Sequence, residues 1–219
     1  MSQTNKTALI FYGGWEGHEP EATSKIVETM LADEGFVVTR VAGTDILSDG
    51  GLERFDLIVP MMTQVEVAKD GLSHLVAAIE AGTGLGGFHG GMGDAFRKEP
   101  AYQFMTGGQW VAHPGNIIDY RVEITKPDDP LVEGIGDFDY HSEQYYLHVD
   151  PGIEVLATTI FSGEHAPWTK GTVMPVVWKH RYGRGRVFYS ALGHVAAEFD
   201  APQMKEILRR GLVWAASCD

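Results

Sequence analysis

Apolar residues in this chain fall into short blocks closed by glycine, alternating with longer stretches of helical period. Ala8-Leu9-Ile10-Phe11-Tyr12 is continuously apolar and ends on Gly13-Gly14, which predicts a buried strand. From Pro20 to Glu34 the positions Ile26, Met30 and Leu31 share one side and Gly35 supplies the stop, which predicts a helix. Phe36 to Val41 is rich in β-branched residues and reads as a second strand, and Leu57-Ile58-Val59 as a third. Leu72 to Ala81 predicts a helix with Leu75, Val76 and Ile79 inward and Gly82 after it, followed by a strand from Gly84 to Phe88. Strand and helix alternating at this spacing predict a parallel sheet covered on both faces.

The second half reads as richer in strands. Tyr120 to Thr125 alternates, and Glu154 to Ile160 is a further strand. Pro175 to Lys179 and Arg186 to Ser190 flank Arg181-Tyr182-Gly183-Arg184-Gly185, which reads as a hairpin loop. Pro202 to Ala216 closes the chain as a helix with Met204, Ile207, Leu208, Leu212 and Trp214 largely inward. The expected fold class is α/β: an open, mostly parallel sheet with helices on both faces and a late antiparallel portion.

Open α/β sheets bind ligands beyond the carboxyl ends of their strands. The residues there are Gly13-Gly14-Trp15-Glu16-Gly17-His18 after the first strand and His89-Gly90-Gly91-Met92-Gly93-Asp94 after the fourth. Leu192-Gly193-His194 follows the last, with Glu198 four residues on. Three strand tips thus each deliver a histidine beside glycine, which lets backbone approach a ligand closely. Either these histidines share a pocket, or each is a hydrogen-bonded structural residue near a turn. Gly107 to Gly115, containing Trp110 and His113, reads as a loop rich in ligand-binding groups. Tyr140-His141-Ser142-Glu143-Gln144-Tyr145-Tyr146 combines aromatic faces with amide and carboxylate neighbours, a mixture that suits sugar rings. Packing on a half-buried strand is the other reading of Tyr145 and Tyr146.

Other motifs carry less. Gly82-Thr83-Gly84-Leu85-Gly86-Gly87 spells a dinucleotide fingerprint but precedes its strand, whereas that loop must follow a strand and open a helix. Neither a Walker phosphate loop nor a GxSxG elbow occurs. Arg181, Arg184 and Arg186 read as a solvated hairpin tip, and Asp128-Asp129-Pro130 as a turn.

Composition narrows the class. A length of 219 residues favours one domain, so residues 1–219 are read as a unit. A net charge of −13 would repel phosphate, which argues against nucleic-acid and anionic-membrane partners. The single cysteine, Cys218, excludes a disulfide framework and a multi-cysteine metal site, and it fits a reducing compartment. It stands beside the C-terminus and is a poor candidate nucleophile. The N-terminal apolar run is too short for a signal peptide, no run is long enough to span a membrane, and Asn5-Lys6-Thr7 reads as a chance glycosylation match. A cytoplasmic location is expected.

With those residues assembled, the sequence resembles the ThuA-like family, named for trehalose utilisation, within the class I glutamine amidotransferase-like superfamily. The resemblance runs from Ala8 to Trp214. It is carried by Gly86-Gly87-Phe88-His89-Gly90-Gly91, Gly107-Gly108 with His113-Pro114-Gly115, Glu143 with Tyr145, and Pro175-Val176-Val177-Trp178. Its most specific piece is Gly183-Arg184-Gly185-Arg186-Val187-Phe188-Tyr189 leading to Leu192-Gly193-His194. The resemblance implies a flavodoxin-like fold and a sharp strand-to-helix elbow that holds a nucleophilic cysteine in amidotransferases. His89 occupies that elbow here, so no glutaminyl thioester can form. His194 matches the amidotransferase histidine; Glu198 matches its glutamate loosely, four residues on rather than two.

The resemblance also implies a carbohydrate setting, often beside oxidoreductases that make keto-sugars. The expectation is an enzyme acting on a sugar or keto-sugar, with His89 and His194 as acid and base and Glu143 orienting one of them. Trp15, Tyr145 and Trp178 would shape the sugar pocket, with His18 and His113 also binding substrate. One alternative is a divalent metal held by His18, His89 and His194, or with His113 in place of one of them. The other is a sugar-binding or partner-binding module without turnover. The expected partner is a small carbohydrate, with a homodimer suggested by the pairing habits of amidotransferase-like domains.

Overall fold

The structure, a computed structural model, describes residues 6–216; Asn5 and Cys218 lie outside them. Strand β1 (Thr7–Gly14) leads to α1 (Pro20–Asp33), β2 (Val37–Ala42), the short α2 (Asp45–Ser48), β3 (Leu57–Thr63) and α3 (Lys69–Ala81). Then come β4 (Gly84–Phe88), α4 (His89–Gly93), α5 (Pro100–Thr106), β5 (Gly108–Ala112), β6 (Ile117–Ile124), β7 (Phe138–Glu143) and β8 (Tyr146–Val149). Strands β9 (Glu154–Ile160), β10 (Val173–Tyr182) and β11 (Gly185–Ser190) precede α6 (Pro202–Ala215). Proline occupies the first position of α1, α5 and α6, where its missing N–H has no helical partner to lose.

A nine-stranded sheet runs in the order β2-β1-β3-β4-β11-β10-β9-β6-β7. From β2 to β11 neighbouring strands pair in parallel, which is the flavodoxin-like order. From β11 to β7 each pairing is antiparallel. Two reversals bring β9, and two more bring β7, back to the direction of β11. The carboxyl end of β7 therefore opens on the same side as those of β1, β3, β4 and β11. Helices α1 and α6 pack together over one face, and α2, α3 and α5 over the other. Apart from Thr7 and Thr63 at their ends, the central strands β1, β3 and β4 are apolar because both faces of their middles are covered.

Several elements depart from the sequence reading. Strand β3 continues through Pro60, Met61 and Met62 to Thr63 rather than stopping at Val59, which puts Thr63 at a strand tip. The stretch expected as a loop at 107–115 contains β5, which pairs with β8 as a small separate sheet. Helix α5 precedes it and ends on Gly107 at φ 82, a left-handed conformation that favours glycine. The β10–β11 hairpin stays paired to Tyr182 and Gly185, so its turn is only Gly183-Arg184. Arg184 and Arg186 are not a free basic tip. They donate to the carbonyls of Ala81 and Trp214, near the ends of α3 and α6. Trp214 is half-buried, its ring covered by the cations of Arg186 and Lys179. No helix among the described residues is long and apolar enough to cross a membrane.

Candidate active site

The strand tips converge. His18 comes from the loop after β1, Thr63 ends β3, His89 follows β4, Glu143 ends β7 and His194 follows β11. The sequence-predicted residues Trp15, His18, His113, Glu143, Tyr145 and His194 line one cavity of about 450 Å³, joined by Thr63, Gln64, Asp94 and Trp110. His89 sits behind them.

His89 occupies a strained elbow at φ 45, between extended Phe88 and the first turn of α4. The hydroxyl of Tyr189 donates to its carbonyl at 3.0 Å, and the Tyr145 ring stacks on its imidazole at 4.1 Å. The side chain is 1% exposed, so it meets no molecule in the cavity directly. The glycines that follow admit the neighbouring rings. A Cβ on Gly90 would lie 2.4 Å from His18 Cε1, and one on Gly93 would lie 2.3 Å from the Tyr189 hydroxyl.

The hydrogen bonds fix the state of the His89 ring. Its Nδ1 lies 2.9 Å from the Ala191 carbonyl, which only accepts, so Nδ1 carries the proton. A neutral ring then turns a bare Nε2 toward Glu143 Oε2 at 3.1 Å and toward His194 Nδ1 at 3.3 Å. His194 Nδ1 is itself 3.2 Å from the same Glu143 oxygen. The other carboxylate oxygen, Oε1, is 3.6 Å from His113 Nε2. His18 Nδ1 is 2.7 Å from the Thr63 hydroxyl, while its Nε2 is buried without a hydrogen-bond partner among the described residues.

These contacts set the electrostatics. Burial, followed by the neighbouring imidazoles, lowers His18 to about 3, so it is neutral at pH 7. Burial would raise Glu143, but its contacts with the His194 and His89 rings, in their protonated forms, outweigh it and hold its carboxyl well below the usual range. Burial would lower His194, and the Glu143 carboxylate reverses this, leaving the imidazole raised above 6.5. Asp94 is raised by burial against the pull of Arg97.

One expectation is corrected. Trp178 does not border the cavity: it is 1% exposed, packs on Tyr189 at 4.3 Å and donates from Nε1 to the Thr106 carbonyl at 3.0 Å. The ladder with β9 shifts register at Val177 and Trp178, and the ring lies under Gly107 and Gly108. Glu198 does not hold the His194 ring. Its carboxylate accepts from the His194 backbone N–H and from the Tyr140 hydroxyl. Thr63 and Gln64 were missed, and the continuous apolar run through Met62 was the signal that β3 ends there.

The ThuA family, described as trehalose utilisation, matches residues 7–215. A ThuA-like protein from Parabacteroides merdae ATCC 43184 is similar in structure, with a TM-score of 0.79 at 19% identity over 98% of this chain and 91% of that one. One from Bacteroides uniformis ATCC 8492 gives 0.77 at 21% identity, over 98% of this chain and 93% of that one. A β-galactosidase from Bacillus circulans sp. alkalophilus gives 0.60 at 14% identity, over 96% of this chain but 30% of that one. No curated protein matches the chain in sequence. At these identities the structural likeness is one of fold, and the sequence match carries the assignment: the chain belongs to the ThuA family of trehalose utilisation.

Proposed function

We propose that the chain is an enzyme acting on a sugar or an oxidised sugar held in the 450 Å³ cavity. The observation that carries this reading is a wall of aromatic rings beside a carboxylate whose two oxygens both face imidazoles. Trp110, His113 and Tyr145 form the wall, with centroids 5.5 Å apart for Trp110–His113 and 6.3 Å for His113–Tyr145. Trp110 Nε1 and His113 Nδ1 are buried without hydrogen-bond partners among the described residues. The size is within the range of small-molecule sites. The family's description supports a carbohydrate over other small molecules.

Of the imidazoles at the cavity, His18 is lowered to about 3 and His89 is walled in, so the acid–base roles fall to His194 and His113. His89 acts as a positioning residue for Glu143, a revision of its expected acid–base role. On a 3-keto-glycoside, one imidazole takes the proton at C2, α to the carbonyl. The C–H electron pair forms an enolate, which collapses to a C1–C2 double bond as the C1–O bond breaks. The leaving oxygen then takes a proton from the other imidazole. Glutamine hydrolysis through a thioester has no nucleophile at the elbow, where His89 stands.

The test is a panel of disaccharides and their 3-keto derivatives, scored for binding by tryptophan fluorescence and for release of the leaving sugar. The expected result is turnover of a keto-glycoside, reduced at least 100-fold in His194→Asn. Absence of both binding and turnover across the panel overturns the reading.

A further inference from the structure

We propose that His18, His89, Glu143 and His194 form a binding site for one first-row divalent cation of zinc type. It is the same site as the sugar reading: with the ion bound, His194 serves as a ligand rather than as acid or base, and only the catalytic use of the metal rests on that reading.

The geometry is that of a coordination shell. One donor atom from each of the four residues lies within 4.8 Å of all the others. Three of the separations are nearly equal: 3.1 Å for His89 Nε2 to Glu143 Oε2, 3.2 Å for Glu143 Oε2 to His194 Nδ1, and 3.3 Å for His194 Nδ1 to His89 Nε2. A tetrahedral ion with bonds of about 2.1 Å has ligand edges of about 3.4 Å. The triangle is therefore close to one face of such a shell, with His18 as the fourth donor.

Proton bookkeeping points the same way. With the His89 proton on Nδ1, the three atoms of the triangle share a single hydrogen, that on His194 Nδ1 of a neutral ring. Lone pairs of His89 Nε2 and Glu143 Oε2 then face each other at 3.1 Å, an arrangement a cation relieves. The buried, unpartnered Nε2 of His18 is a further lone pair or N–H without a protein partner.

The outer contacts are those of metal-ligating histidines, which hold their second ring nitrogen on an oxygen. His89 Nδ1 is held by the Ala191 carbonyl and His18 Nδ1 by the Thr63 hydroxyl. Glu143 keeps its second oxygen toward His113. Three imidazoles with one carboxylate favour zinc and its late first-row neighbours over magnesium or calcium, which prefer all-oxygen shells. Glu143, His18 and His194 also border the large cavity, so a fifth ligand arriving there would come from a bound substrate oxygen.

The test uses the whole chain, stripped with chelator and titrated with cobalt(II) in the absence of sugar. The expected result is one cobalt per chain with the intense visible bands of a low-coordinate nitrogen-rich site, displaced by zinc. His89→Ala and His18→Asn should each weaken binding at least tenfold, while His141→Ala, an exposed residue paired with Asp119, leaves it unchanged. His18→Asn stands in if His89→Ala fails to fold, since His89 also braces the elbow. No stoichiometric cobalt in folded wild type, or equal binding in all variants, overturns the inference. Sugar binding without cobalt binding would sink the metal site and leave the sugar reading; cobalt binding without any sugar response would do the reverse.

Discussion

The carboxylate of Glu198 accepts a hydrogen bond from the backbone N–H of His194 at 2.9 Å, and the imidazole of that histidine turns instead to Glu143. The same carboxylate oxygen accepts a hydrogen bond from the Tyr140 hydroxyl at 2.5 Å, and the Tyr140 oxygen in turn accepts from the Gly193 N–H at 3.2 Å. Two residues far apart in sequence thus hold the main chain of the loop after β11. Glu198 positions the His194 ring from behind without touching it.

Removing that support should loosen the loop. Glu198→Ala leaves the His194 N–H and the Tyr140 hydroxyl unpaired, and the expected loss of stability is about 2 kcal/mol. Glu198→Gln keeps an acceptor for the N–H and should lose about half as much. Urea unfolding of the two variants checks the order. Equal losses would mean that the carboxylate charge, rather than its hydrogen bonds, holds the loop.

The rings around the elbow constrain Gly90 by space. Its added Cβ would meet His18 Cε1 at 2.4 Å, the far end of a side chain that can swing away. Gly90→Ala should therefore keep the fold, with a loss of about 1–2 kcal/mol, and displace the His18 ring. The signature is a moved His18 imidazole resonance in an NMR spectrum, with the other histidines outside the cavity unchanged. An unmoved His18 resonance would mean that the backbone shifts instead.

Much of the fold is legible from pattern alone because β1, β3 and β4 are buried on both faces and leave continuous apolar runs. The rule that α/β sheets bind at their carboxyl ends then singles out His18, His89 and His194, whose loops are short and leave little freedom. Glu143 is less accessible to that reasoning, since it reaches the same edge only through the four antiparallel pairings from β11 to β7. Trp178 shows the limit of residue type. A tryptophan on a strand covered on both faces can point to core or cavity, and only the register shift in β10 decides it. Glu198 shows the limit of spacing: a short loop with a 3-10 turn over Ala196–Asp200 aims the carboxylate at backbone rather than at the ring.

The glycines of the apparent dinucleotide fingerprint lie where β4 meets helices. A Cβ on Gly84 would come within 2.1 Å of the Ala215 carbonyl oxygen, and one on Gly86 within 2.7 Å of Leu212 Cδ2, both in α6. Backbone cannot yield as a side-chain tip can. Gly84→Ala should destabilise by about 3 kcal/mol, while Gly136→Ala, with open space around its Cα, should stay within about 0.5 kcal/mol of wild type. Thermal unfolding distinguishes them. Addition of a nicotinamide dinucleotide should leave every melting temperature unchanged, because these glycines serve packing.

Helix α6 is tied to α1 through a charged cluster that makes stability depend on acid. Glu206 is hydrogen-bonded by Arg209 at 2.8 Å and Arg210 at 2.6 Å, and Arg209 also reaches Glu34 at 2.6 Å. The Arg209 bonds first, then those of Arg210, lower the Glu206 carboxyl from 4.5 to about 2 against the opposing effect of burial. A carboxyl depressed in the folded state binds its proton more readily in the unfolded chain, so stability falls as pH falls. The contribution is fully present above pH of about 4.5 and is lost as the pH falls through about 2. The group is a third exposed, so solvent screening holds the effect to about 1 kcal/mol. Glu206→Gln should therefore lie about 1 kcal/mol below wild type at pH 7, with the two curves converging near pH 2. Urea midpoints measured across that range test it. A gap that stays constant down to pH 2 would assign the loss to packing of the helix pair rather than to the charge.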